Sequence, residues 1–213
     1  MTRRDVLGRY RHLRSISKHH HHTILTFLAQ PTILEHAKHL GMRDRQTVIA
    51  DSEEELTLVF DLAIHTAREG RTRAIDRYTR AAGLRSDSDD GLVLEAMCRA
   101  RFSLWRIARR HDICGLVIDD LIRQAETWLV DEGLEKSGAA GMCFASRVYK
   151  PDQFAMTSGV IVPVDRPMLE EVLTDGRACR HADPERVADD PRFAAAIYRA
   201  AVEAGLMDRV AFC

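Results

Sequence analysis

Long apolar runs are missing from this sequence. None of its 213 residues belongs to a stretch approaching the ~20 apolar residues of a membrane-spanning helix, which argues against a helical membrane protein. The apolar piece nearest the start, 23–29, is too short for a secretory signal and follows four histidines, His19 to His22. Neither sign of charge is in excess. The 31 basic and 32 acidic residues leave a net charge of -1, so no global footprint for nucleic acid or an anionic membrane exists. Lysine is scarce, with 4 against 27 arginines. That ratio fits the codon usage of a GC-rich genome, with bidentate anion binding as the functional alternative. Cysteine is sparse as well. Cys98, Cys114, Cys143, Cys179 and Cys213 are odd in number, and no two lie closer than 16 residues. A dense disulfide framework is thereby excluded, and reduced thiols in a cytoplasmic protein are expected. No GxxxxGK[ST], GxGxxG, GxSxG or HExxH pattern occurs, so several large enzyme classes are excluded as simple motif matches.

What is present is a globular balance, 46% hydrophobic and 30% charged, sufficient for a sizeable core. Tyr10, Leu13, Ile16, Ile24, Phe27 and Leu28 recur at helical spacing, with His20 on the same stripe. They predict a helix over 5–29, ended by Gln30 and Pro31. A short helix over 32–40 closes at Gly41, and 47–50 reads as extended. Asp51 or Ser52 caps a helix whose first turn holds Glu53, Glu54 and Glu55. Further helices are expected over 72–82, stopped by Gly83, and over 92–101.

The rhythm then changes. Runs at 102–107, 114–118, 127–130, 142–149 and 154–164 are rich in β-branched, aromatic and aliphatic residues, with polar or Gly/Pro turns between them. They read as an antiparallel meander. In the fourth run Met142, Phe144 and Val148 alternate with Cys143, Ala145, Arg147 and Tyr149, which predicts one buried and one wetter face. Helical grammar returns afterwards. Asp183 before Pro184 and Asp190 before Pro191 each read as a cap followed by proline, and Gly205 closes the last helix. The expected fold is α+β: helices over 1–101, a five-stranded antiparallel sheet or small barrel over 102–164, and C-terminal helices over 165–213, all in one compact unit.

The candidate sites are few. His19 and His22, at i and i+3, face the same way on a helix and offer imidazole nitrogens to zinc or another transition metal; a solvated patch is the plainer reading. No other cofactor is implied. His19 to His22 with His36 and His39 also form a candidate pH-sensitive segment. Arg99, Arg101, Arg106, Arg109 and Arg110 cluster beside Phe102 and Trp105, a combination that suits phosphate contacts and base stacking. The basic arm over 1–22 could extend it, whereas Glu95, Asp112, Asp119 and Asp120 weigh against it. The carboxylate pairs Asp119–Asp120 and Asp131–Glu132 fit turn capping better than acid–base or metal chemistry. His111 and Cys114 are a weak nucleophile–base pairing, with no third orienting group evident.

Gly115 to Leu121, Val130 to Glu132, Ala140 to Arg147 and Thr157 to Gly159 resemble segments of uncharacterised bacterial proteins, in some of which a similar β-rich segment accompanies a SecA-type C-terminal zinc motif. The cysteine-rich motif itself is absent here, since 208–213 offers only the Cys213 thiol. The leading functional expectation is a non-enzymatic binding or regulatory module acting through protein partners in the cytoplasm, away from membranes. Nucleic-acid binding through the arginine cluster, and a metalloprotein or enzyme using His19 and His22, are the alternatives.

Overall fold

The computed structural model describes residues 1–68, 70–168, 170 and 184–207. Expectations for Asp183, Cys179 and Cys213 lie outside the described residues.

Helix α1 (Arg3–Leu25) begins with a capping box in which Thr2 and Asp5 satisfy each other's backbone. Its buried stripe is Val6, Tyr10, Leu13, Ser17, His20 and Ile24, the 3.6-residue rhythm visible in the sequence. The helix ends earlier than Pro31 requires. Pro31 instead sits in the first turn of α2 (Gln30–His39), where a missing N–H costs nothing. Two short strands, β1 (Arg43–Asp44) and β2 (Thr47–Val48), pair before α3 (Glu53–His65). Ser52 caps α3 by accepting the Glu55 N–H. Helices α4 (Ala74–Ala82) and α5 (Asp89–Cys98) follow. Gly83 adopts the left-handed conformation that ends α4, and Ser88 caps α5.

The sheet comprises β3 (Arg101–Arg110), β4 (Leu116–Asp120), β5 (Ala125–Leu129), β6 (Cys143–Tyr149) and β7 (Met156–Pro163). All neighbours are antiparallel, in the order β5-β4-β3-β6-β7. The chain is therefore not a simple meander: after β5 it passes through α6 (Glu132–Ser137) and returns on the far side of β3. The barrel alternative is not realised either. The outer strands meet only at one corner, through the Leu129–Ala155 bridge and its two backbone hydrogen bonds, so the sheet is curled and open.

Helices cover both faces of β6, so the expected wetter face is buried: Ala145, Arg147 and Tyr149 are as enclosed as Phe144 and Val148. One core joins α2, α3 and the C-terminal helices α7 (Pro184–Asp189) and α8 (Pro191–Glu203) to Phe102, Leu104, Ala145 and Val162. A second joins α1, α4 and α5 to Tyr149, Phe154 and Met156. The third lies on the opposite face of β3, where Trp105, Ile107, Ile118 and Phe144 are closed over by Leu134 of α6. At the edge, the β6–β7 register slips between Ser146 and Val148. The extra β7 residues form a bulge around Gly159, whose φ is +105°.

Candidate functional site

The bulge of β7 stands across from α1 and α3, and between them opens a cleft of about 1250 Å³. Leu25, Phe60, Ile64, Val160 and Ile161 give it apolar walls, while Lys18, His22, Glu54 and Lys136 stand around it. Arg14, His21, Asp61 and Ser158 supply its polar lining.

Arg14 is placed by α1 and projects against the bulge. Its Nη1 donates to the Thr157 carbonyl at 2.7 Å. Its Nη2 lies 2.9 Å from the point where a Cβ on residue 159 would sit. Glycine at 159 therefore serves two ends, the positive φ and the space for the guanidinium. Among the described residues no carboxylate stands within ion-pair distance of Arg14. Asp131, an acid that acts on its charge, is occupied: it accepts the Thr157 hydroxyl at 2.8 Å and caps α6 through the Leu134 N–H at 3.0 Å.

Behind Arg14 runs a chain of buried polar groups. The Tyr149 hydroxyl donates to Ser17 Oγ at 2.7 Å. Ser17 Oγ stands 3.5 Å from His21 Nδ1, at the long limit of a hydrogen bond. Burial, reinforced by the Arg14 charge, pushes His21 down to about 4, so its ring is neutral at pH 7. The His65 ring meets it edge-on at 6.4 Å. Burial likewise pushes His65 well down, and neither of its nitrogens has a partner among the described residues. Ser158 Oγ is also buried without a partner. Such orphaned groups are uncommon, each carrying a desolvation cost, and here Ser158 borders the cleft.

The sequence-predicted candidates are distributed differently. His20, the buried member of the histidine run, bridges structural groups: Nε2–H donates to the Asp90 carbonyl at 3.0 Å, which leaves Nδ1 to accept from the Tyr78 hydroxyl at 2.8 Å. His19 and His22 are exposed, with His22 beside the cleft. Among the described residues no three His, Cys, Asp or Glu side chains are grouped to hold a metal. In the arginine cluster, Arg99 pairs with Glu95, Arg106 with Asp119 and Arg109 with Glu126, and Arg101 and Arg110 stand at opposite ends of β3. The basic arm is tied down in the same way, Arg3 to Glu135, Arg9 to Asp89 and Asp152, and Arg11 to Glu132. Asp119 serves that strand pairing, whereas Asp120 accepts from Ser103 Oγ and the Ile122 and Arg123 N–H groups, a turn-capping role. His111 does not engage Cys114. It stacks on Trp128 at 4.1 Å and accepts the Ile113 N–H through Nδ1, while burial pushes the Cys114 thiol up.

Sequence reasoning missed Arg14, His65, Tyr149 and Ser158 as site residues. The usable signal was Ser158–Gly159 inside a strand pattern, which marks a bulge or a close approach. No helix among the described residues is long and apolar enough to cross a membrane. No curated protein and no solved structure matches the chain. Residues 4–207 match DUF7986, a family of unknown function, and the chain belongs to that family.

Proposed function

We propose that the protein is a non-enzymatic binding module and that its ligand is a small organic molecule received in the cleft between α1, α3 and β7. The observation that carries this reading is the polar lining: a largely buried arginine with no carboxylate beside it, and the buried, unpartnered Ser158 hydroxyl, set among apolar walls. Ligand sites are concave and mostly apolar, with a few convergent polar groups that fix orientation. A binding role is favoured over catalysis because Ser17 and Tyr149, the hydroxyls linked toward His21, are themselves fully enclosed. Among the described residues the exposed large apolar side chains, Met1, Ile49, Leu84, Leu92 and Leu121, belong to separate segments, so the cleft is the surface with the best-defined chemistry.

Ser15 lines the cleft and is exposed on α1, which makes Ser15→Trp a plug that spares the core. Ligand-observed NMR with a mixed fragment library should give binders for the wild-type protein that Ser15→Trp loses, with its melting temperature unchanged. A library without binders, or binders indifferent to the plug, would overturn the reading.

A further inference from the structure

We infer that the cleft selects an organic monocarboxylate with an apolar body, its carboxylate held by Arg14 with help from the Ser158 hydroxyl. The inference rests on the cleft reading and adds the chemical class of its ligand. Arg14 spends one N–H on the Thr157 carbonyl and faces the Tyr149 hydroxyl with another, and a guanidinium carries five in a rigid fork that matches a carboxylate. A charge taken out of water calls for a counter-charge; among the described residues none is paired with this one, and Asp131, which acts on it, is already engaged by Thr157 and the Leu134 N–H. Ser158 borders the same space with a buried hydroxyl that has no partner, and a hydroxyl can donate to an anion's second oxygen. The surroundings set the ligand's charge. Five acids, Glu53, Glu54, Asp61, Asp131 and Glu132, line the cleft against four bases, Arg11, Arg14, Lys18 and Lys136, so the lining is net negative and disfavours a dianionic phosphate more than a monoanion. His21 is neutral and adds no positive charge to offset it. The walls of Leu25, Phe60, Ile64 and Ile161 suit an aliphatic or aromatic remainder.

The test is calorimetric titration of the full chain with octanoate, 1-octanol and octyl phosphate. Octanoate is expected to bind at least about tenfold more tightly than either of the others, the worth of a charge-assisted pair in a desolvated setting. Arg14→Gln should erase that preference. Ser158→Ala should weaken octanoate several-fold while leaving the melting temperature equal or higher, because it removes an unpartnered group, and it keeps the inference falsifiable should Arg14→Gln fold poorly. Equal affinity for octanol and octanoate, or an octanoate preference that survives both substitutions, overturns the carboxylate assignment; if Ser15→Trp still blocks both ligands, the cleft reading stands without it. Stronger binding of octyl phosphate overturns the monoanion assignment. Absence of octanoate binding overturns the inference as a whole, and fragment binders lost in Ser15→Trp would still support the cleft.

Discussion

Arg147 on β6 donates Nε–H to Asp61 Oδ2 on α3 at 2.7 Å, with side-chain exposures of 8% and 2%. Tyr198 on α8 donates its hydroxyl to the same oxygen at 2.9 Å. One carboxylate thus ties the sheet to a central and a C-terminal helix. Phe102 stacks beneath the guanidinium, 5.5 Å from it, and meets Tyr198 edge-on. Removing one partner of a buried pair strands the other in a low-dielectric interior. Asp61→Ala is therefore expected to cost about 3–5 kcal/mol in urea unfolding. Because a buried pair can often be replaced by apolar side chains, Asp61→Leu with Arg147→Met should recover most of that loss. A single substitution costing less than about 1 kcal/mol would contradict the assignment of this pair as a fold-holding contact.

That pair also shows why the sequence was only partly legible. The β6 alternation was visible, and so was the odd member, Arg147. Which face would be covered depended on α3 and α8, separated from β6 by long stretches of chain and without local trace. The α1 stripe was legible in outline because a 23-residue helix repeats its rhythm several times, and His20 fell on it for that reason, although Ile16 was read in the place of Ser17 and Phe27 and Leu28 lie beyond the helix end. Helix α6 was read as part of a turn because its six residues are too few for a period to emerge. Strand order was hidden as well, since β6 pairs with β3 instead of continuing beyond β5. The cleft was the least legible part: Arg14, Asp61 and Ser158 come from three distant segments, and nothing near any of them signals the other two.

The arginines of β3 offer a contrasting prediction. Arg106 pairs with Asp119 on the adjacent β4, Arg109 reaches past β4 to Glu126 on β5, and both arginines are more than half exposed. Exposed pairs add little, because water already solvates both charges. Arg106→Ala with Arg109→Ala should leave the urea midpoint essentially where it is. The same double variant, joined by Arg110→Ala, decides the nucleic-acid alternative: filter binding of single-stranded and duplex DNA at low salt must fall in the triple variant if this face engages phosphates.

Gly159→Ala tests the bulge from the backbone side. At φ +105° a Cβ is strained whatever the space, and here it also meets Arg14 Nη2 at 2.9 Å. The guanidinium is the far end of a flexible side chain and can yield, so the stability loss should be about 1–2 kcal/mol, mostly backbone strain. The larger effect is expected in the cleft, where Arg14 must leave the Thr157 carbonyl. Octanoate affinity should drop alongside the melting temperature. A variant with wild-type stability would show that the bulge relaxes without strain.

Acid should loosen the protein in a window set by its buried and half-buried histidines. His20, His21, His36 and His65 all have depressed pKa values in the folded state, chiefly through desolvation. The unfolded chain titrates near 6.5 and so binds more protons than the folded chain below that pH. Stability is therefore fully present above about pH 6.5 and is lost as pH falls toward the folded values, about 4 for His21. Asp89, held down to about 2 by Arg9, acts in the same direction near and below its ordinary 3.8, and Glu132 and Glu135, lowered from 4.5, join it around that value, so the histidines dominate only the upper part of the window between pH 6.5 and pH 4.5. His65 is the sharpest probe because both its nitrogens lack partners. His65→Phe removes a buried group that cannot charge, keeps an aromatic ring against His21, and should raise stability at pH 7 by about 1 kcal/mol. It should also flatten the fall in melting temperature between pH 6.5 and 4.5. An unchanged acid slope in His65→Phe would show that His65 is protonated in the folded protein and that its nitrogens are satisfied.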